Sequence, residues 1–221
     1  MISKKIQNLK IATILPYKED YSFIKASAVS LWVAEFFKNS KFNNNNIIFG
    51  STKTKDFLTK NYVNIKLESL ESRIISTTNE YIRKLVKEFK NKNFDLIEIH
   101  NRPLILFNLI YKIKNNYIFY FHNDPLSMKG SKSINERLFI LKNVNKIIFI
   151  SEWIKERFFQ NIDKKLSTNT EIIYHSVNKQ RKVKKDKLIT YVGKLNHSKG
   201  YDIFSDAIVK ILDEFHQWKA L

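Results

Sequence analysis

Leu188-Ile-Thr-Tyr-Val192, then Gly193-Lys-Leu-Asn-His-Ser-Lys-Gly200, then an amphipathic segment running to Leu212, is the stretch whose reading decides the fold. A short apolar run bounded by turn residues reads as a buried strand, and apolar residues at three-to-four spacing after Gly200 read as a helix. Between them lies a turn carrying Lys194 and Lys199. A strand, a cationic turn and a helix start together make an α/β unit suited to face phosphate.

Working back from this unit, the same alternation fills the chain. Strands are expected at Ile11-Leu15, Ile47-Phe49, Val63-Leu67, Leu96-His100, Tyr117-Phe121, Lys146-Ile150 and Ile172-Tyr174. Helical spacing occupies Val29 to Phe37, Glu80 to Phe89, Leu104 to Tyr111, Ile134 to Leu141 and Ser151 to Phe159, with Ser151 as an N-cap. Short apolar strands separated by helices predict an α/β, Rossmann-like, doubly wound parallel sheet with helices on both faces. From Ser176 to Lys187 the pattern breaks into a basic, self-repelling run that reads as a connector. The expected organisation is a first lobe over 1–178, a basic connector over 179–187, and the start of a second lobe over 188–221.

The chain has 221 residues, 43% hydrophobic and 14% aromatic, enough for one full core and part of another. No apolar run approaches the roughly 18 residues a spanning helix needs, and Ile11 to Leu15 is too short for a signal-peptide core, so the expected compartment is the cytoplasm. The absence of cysteine excludes disulfides, thiolate metal sites and cysteine nucleophiles. A net charge of +18 would draw phosphates, anionic lipid or nucleic acid. Abundant lysine and asparagine with scarce glycine fit a coding bias equally well, and both accounts stand at this point.

In an open parallel sheet, ligands bind at the carboxyl ends of the strands. After the first strand come Pro16 to Asp20 and Lys25-Ala-Ser-Ala28; after the fourth, His100-Asn-Arg-Pro103; after the fifth, His122-Asn-Asp-Pro125; after the sixth, Ser151-Glu-Trp153. All are expected along one crevice.

These residues, in this order, carry a resemblance. Ile-Glu-Ile-His-Asn-Arg-Pro (97 to 103), Phe-His-Asn-Asp-Pro (121 to 125), Ile-Ser-Glu-Trp-Ile-Lys-Glu-Arg-Phe (150 to 158), Ile-Ile-Tyr-His-Ser-Val-Asn (172 to 178) and Tyr-Val-Gly-Lys-Leu (191 to 195), with Lys199-Gly200, resemble retaining GT-B glycosyltransferases of the family 4 type. The resemblance implies transfer of a hexose from a nucleotide-sugar donor to a glycan or lipid-linked acceptor. It gives His122 the catalytic contact with the donor sugar, and Gly193, Lys194 and Lys199 the leaving diphosphate. Ser27, His100, Asn101, Arg102, Asn123 and Ser151 are then candidates for acceptor contact or crevice shape.

Three departures qualify it. Lys194 stands where the family carries arginine and lacks the bidentate fork, which loosens a diphosphate clamp. Ala26-Ser27-Ala28 replaces a glycine-rich loop, so positive φ is costly there. The family's two glutamates, eight apart in the second lobe, have no counterpart downstream of Lys199. Glu80 and Glu88 share that spacing but read as a solvated helix face, and Asp206 and Glu214 read as surface. The expectation is therefore a second lobe truncated early, weak or no activity from this chain alone, and a partner chain able to supply the missing lobe.

Other chemistries find little support. A Lys-Ser or Lys-Thr pair is missing from the glycine turn, no histidines show zinc spacing, no Asp-x-Asp motif occurs, and no serine is flanked by glycines. No metal or other cofactor is expected, since the nucleotide sugar is a substrate. Nucleic acid is disfavoured as a partner because no basic patch interleaved with stacking aromatics stands out. A non-catalytic lobe binding sugar phosphate or an anionic membrane surface, peripheral at the inner face of the membrane, is the alternative.

Overall fold

The computed structural model describes residues 8–68, 70, 74–90, 92–176, 184–193 and 195–221. The chain divides into two compact units, Met1–Val177 and Asn178–Leu221. Most of the expected connector lies outside the described residues.

The first unit is built on β1 (Ile11–Ile14), β2 (Asn46–Gly50), β3 (Tyr62–Asn64), β4 (Leu96–His100), β5 (Asn116–Phe121), β6 (Lys146–Phe149) and β7 (Thr170–Ile172). They form one seven-stranded sheet in the order β3-β2-β1-β4-β5-β6-β7. Every neighbouring pair is parallel. The helices are α1 (Ala28–Lys38), α2 (Thr77–Phe89), α3 (Pro103–Ile110), α4 (Ile134–Asn143) and α5 (Glu152–Phe158). The expected α/β, Rossmann-like architecture is what the chain adopts.

Alternation along the strands sorts the side chains onto two faces. Ala12, Ile14, Phe49, Ile97, Ile99, Tyr117, Phe119, Phe121, Ile147 and Phe149 form the larger core with apolar residues of α2, α3, α4 and α5. Leu15, Ile48, Tyr62, Tyr120 and Ile148 point the other way, into a smaller core with Val29, Trp32, Val33, Ala34 and Phe37 of α1. Helix α1 starts because the Ser27 hydroxyl accepts from the Ser30 N–H at 3.1 Å. Helix α4 starts on a capping box of Ser133 and Glu136.

Two strands both start and end earlier than the sequence reading puts them. The third is Tyr62–Asn64 rather than Val63-Leu67, and the seventh Thr170–Ile172 rather than Ile172-Tyr174. Tertiary pairing with β2 and β6 fixes them, not the apolar run. Glu80 is also a correction. It is fully buried, accepts from the Glu68 N–H at 2.7 Å and pairs with Lys84 at 2.8 Å, so α2 does not present it to solvent.

The second unit holds β8 (Leu188–Ile189), α6 (Tyr201–Glu214) and β9 (Lys219–Ala220), with β8 and β9 parallel. The expected buried strand Leu188-Val192 shortens to two residues, and Val192 is 90% exposed. A single parallel partner and one helix cannot cover both faces of that strand. Ile208 is the one buried hydrophobic residue among the described residues of this unit.

Arg137 shows how loops are tied to the first unit's core. It is 3% exposed, and its guanidinium donates to the carbonyls of Ser133, Phe158 and Gln160, the last two at and just past the end of α5. Arg137→Met keeps the apolar stem and orphans those carbonyls. It should lower stability by about 2–3 kcal/mol, read as a fall in Tm of roughly 5–10 °C in thermal unfolding.

Candidate functional site

Because β1, β4, β5, β6 and β7 run parallel, the residues after them meet along one edge of the sheet. The face covered by α1 carries a polar row unusual for a sheet interior. Thr13, Glu98, His100 and His122 are all buried there beside Tyr120.

Three imidazoles form a chain along this edge. His100 Nδ1 lies 2.9 Å from His122 Nε2, and His122 Nδ1 lies 3.1 Å from His175 Nε2. Trp32 of α1 sits against all three, edge-on to His122 at 5.3 Å between ring centres and stacked on His175 at 5.1 Å. His100 stacks on Tyr120 at 4.4 Å. The inner rings are almost wholly buried, at 1% and 6% exposure, whereas His175 lies at the surface. Burial disfavours the charged imidazolium, and neighbouring imidazoles add to it. His122 is pushed down to about 3, His100 well below its ordinary range, and His175 below its ordinary value.

Asn101 holds the bend after β4. Its φ is +56°, its N–H donates to Tyr120 O at 2.8 Å, and its side-chain oxygen accepts from the His122 N–H at 3.2 Å. Asparagine tolerates this left-handed backbone better than most residues. Arg102 lies over the Tyr17 ring at 4.8 Å. After β5, Asp124 caps Leu126 N–H and takes a two-pronged contact from Arg157 at 3.0 and 3.2 Å. Burial works to raise that carboxyl, and the Arg157 and backbone hydrogen bonds outweigh it, leaving the pKa lowered.

Deeper on the same face, Glu98 accepts from the Thr13 hydroxyl at 3.0 Å and from the Tyr120 hydroxyl at 3.4 Å. Asn46 in turn donates to Thr13 at 3.1 Å. Burial pushes the Glu98 carboxyl up to about 7, against the lowering effect of the two hydroxyls. No cation pairs with it in the described structure.

The residues singled out from sequence distribute unevenly. His100, Asn101 and His122 come together directly, with Arg102 adjoining. Ser27 and Ser151 sit at the same edge but use their hydroxyls to start α1 and α5. Asn123 is exposed on the loop after β5. In the second unit, Lys199 is exposed at the end of a short 3-10 turn, and Gly200 (φ +69°) leads into α6. A Cβ at Gly193 would meet the Tyr191 hydroxyl at 2.7 Å, so the residue makes room for that ring, whose hydroxyl donates to Lys199 O at 3.3 Å. Lys194 lies outside the described residues.

Sequence reasoning missed Trp32, Glu98, Tyr120, Arg157 and His175 as parts of this site, and placed Asp124 along the crevice without a role. Strand alternation held a signal for some of them. Glu98-x-His100 and Tyr120-x-His122 put like-facing polar residues on adjacent strands. Among the described residues no cluster of histidine and carboxylate side chains is arranged to hold a metal ion, and no helix is long and apolar enough to cross a membrane.

No protein-family model and no curated protein sequence matches the chain. Solved structures do. Sucrose-phosphate synthase from Thermosynechococcus elongatus matches at a TM-score of 0.62 and 12% identity, covering 92% of this chain and 60% of the synthase chain. A glycosyltransferase from Rickettsia africae ESF-5 matches at a TM-score of 0.49 and 16% identity, covering 77% of this chain and 44% of that one. The chain thus spans about 60% of the length of the synthase it matches, and at this identity the likeness is one of fold.

Glu98 and the histidines pull stability in opposite directions with pH. The folded Glu98 binds a proton more tightly than the unfolded one, so its contribution weakens as pH rises from about 4.5 to about 7. The folded histidines bind protons less tightly than unfolded ones, so their contribution is lost as pH falls below about 6.5. Glu98→Gln should therefore be more stable than wild type above pH 7, by on the order of 3 kcal/mol, with the difference vanishing toward pH 4. Urea unfolding of both proteins across that range measures it; a difference independent of pH would contradict the raised carboxyl.

Proposed function

We propose that this chain is part of a GT-B glycosyltransferase, a retaining enzyme of the family 4 type that moves a hexose from a nucleotide sugar to a glycan or lipid-linked acceptor. The observation that carries the reading is the histidine-bearing row at the carboxyl ends of β4, β5 and β7, in a unit whose fold is like that of sucrose-phosphate synthase. That row lies where an open parallel sheet receives ligands. The sequence resemblance, independent of the geometry, selects His122 of the same row.

In this reading the first unit receives the acceptor, and the second contributes Lys199, Lys194 and Gly193 to the leaving diphosphate. A lysine next to a helix start favours developing phosphate charge. The resemblance brings His122 to the donor sugar. Both of its ring nitrogens are engaged by imidazoles in the described structure, so it acts on the sugar through His175, the ring that meets solvent. Asn101 and Arg102 shape the rim, and Ser27, Asn123 and Ser151 lie along it. No metal or other cofactor takes part; activation comes from the leaving diphosphate itself.

Calorimetric titration with a panel of nucleotide sugars should find a binder, with Lys199→Ala lowering its affinity roughly tenfold. No binder in the panel, or an affinity unchanged in Lys199→Ala, would refute the reading.

An anionic membrane surface is the second reading, and one loop favours it. Phe23 and Ile24 are 68% and 76% exposed after β1, beside Lys25, and Phe23 N–H bonds to Asp56 O of the loop that carries Lys53 and Lys55. Exposed apolar residues on a loop joined to one that carries lysines suit insertion among anionic headgroups. Sedimentation with vesicles containing phosphatidylserine should pellet the protein, vesicles of phosphatidylcholine should not, and Phe23→Ser with Ile24→Ser should cut the bound fraction severalfold.

A further inference from the structure

The three imidazoles constrain one another beyond mere contact. Each neutral imidazole carries one N–H and one bare nitrogen, so a chain of two ring-to-ring hydrogen bonds must run in a single direction. If it runs inward, from His175 Nε2–H to His122 Nδ1 and from His122 Nε2–H to His100 Nδ1, then His100 ends with a proton on Nε2. If it runs outward, His100 Nδ1–H donates to His122 Nε2, His122 Nδ1–H donates to His175 Nε2, and His100 Nε2 is bare.

The buried end chooses between them. His100 Nε2 is fully buried and has no hydrogen-bond partner. A buried N–H with no acceptor is among the rarest defects in folded proteins, whereas a buried acceptor lacking a donor is better tolerated. The outward direction is therefore favoured. Protonated rings would break this rule, but burial of His100 and His122 under Trp32 and against Tyr120 keeps them neutral.

We propose that this chain fixes the exposed His175 as a neutral N–H donor at Nδ1, so that it binds an oxygen acceptor of the ligand and takes no proton from it. Its Nε2 is already occupied as an acceptor for His122. Its ring is held flat against Trp32, which limits rotation. His100 and His122 then act as positioning residues, setting which nitrogen of a surface ring carries the proton. The sequence resemblance assigned His175 no role. The oxygen it would meet, a hydroxyl or phosphate oxygen of a nucleotide sugar, rests on the function proposed above; the direction of the chain does not.

Nitrogen-15 NMR of the labelled wild-type protein at neutral pH reads the tautomer of each ring directly. The expected result is the Nδ1–H form for all three, with His175 locked in it; an Nε2–H form at His175 would overturn the proposal. His122→Phe removes the donor to His175 while keeping a ring under Trp32. It should release His175 into mixed tautomers, with the Nε2–H form becoming populated. An unchanged His175 in that variant would overturn the coupling, and should the variant fail to fold, the wild-type tautomers still decide. UDP-glucose added to the wild-type sample should shift the His175 Nδ1–H signal without converting the ring to its charged form. Conversion to imidazolium would overturn the donor role, and shifts elsewhere without one at His175 would remove it from the site. No shift anywhere would count against the nucleotide-sugar reading, with the tautomer result standing on its own.

Discussion

The burial of a polar row between a parallel sheet and a single helix is the constraint on which the rest of the site depends. Alternation along β4 and β5 leaves Glu98, His100, Tyr120 and His122 no choice of face once the larger apolar core has claimed their neighbours. Helix α1 then closes over that row with Trp32, an aromatic large enough to touch three imidazoles at once. Low dielectric makes each hydrogen bond there stronger and each unpaired group more costly. The direction of the histidine chain and the raised Glu98 carboxyl both follow from this one circumstance.

The same circumstance separates positioning from reaction. His122, which the sequence resemblance makes catalytic, is the ring with least freedom, gripped at both nitrogens and through its backbone by Asn101. His175, outside the resemblance's assignments, is the ring that meets solvent. The row is built outward from a rigid floor, and the ring that meets solvent takes its proton position from rings that do not. Glu98 belongs to the floor as well, stored as an unpaired acid whose ionisation costs folding free energy near neutrality.

The second unit is organised differently. Tyr191 bridges its glycine turn to Lys199, and Gly200 supplies the left-handed residue that α6 needs at its start. Apolar residues on α6 and β8 remain exposed, among them Ile203, Val209 and Leu188. Two short parallel strands and a helix bury too little surface to hide them, which is the packing expected of an α/β unit with few layers.

The sequence by itself determined the strand and helix order, the parallel α/β class and the edge of the sheet where polar residues gather, because apolar periodicity and the topology of crossover connections are local properties. Leu96 to His100 was legible to the residue. His100, Asn101 and His122 were legible as a group because strand ends are predictable from apolar runs. Only the tertiary structure decided that Glu80 is buried, that the third and seventh strands start early, and that Trp32 and His175 join His122. Those facts depend on register and on which helix covers which face, set by contacts between residues far apart in the chain: His122 and His175 meet across 53 positions, His100 and His122 across 22. Spacing along a chain carries no record of such distances, so the chemistry of the surface histidine was fixed by packing, not by its neighbours in sequence.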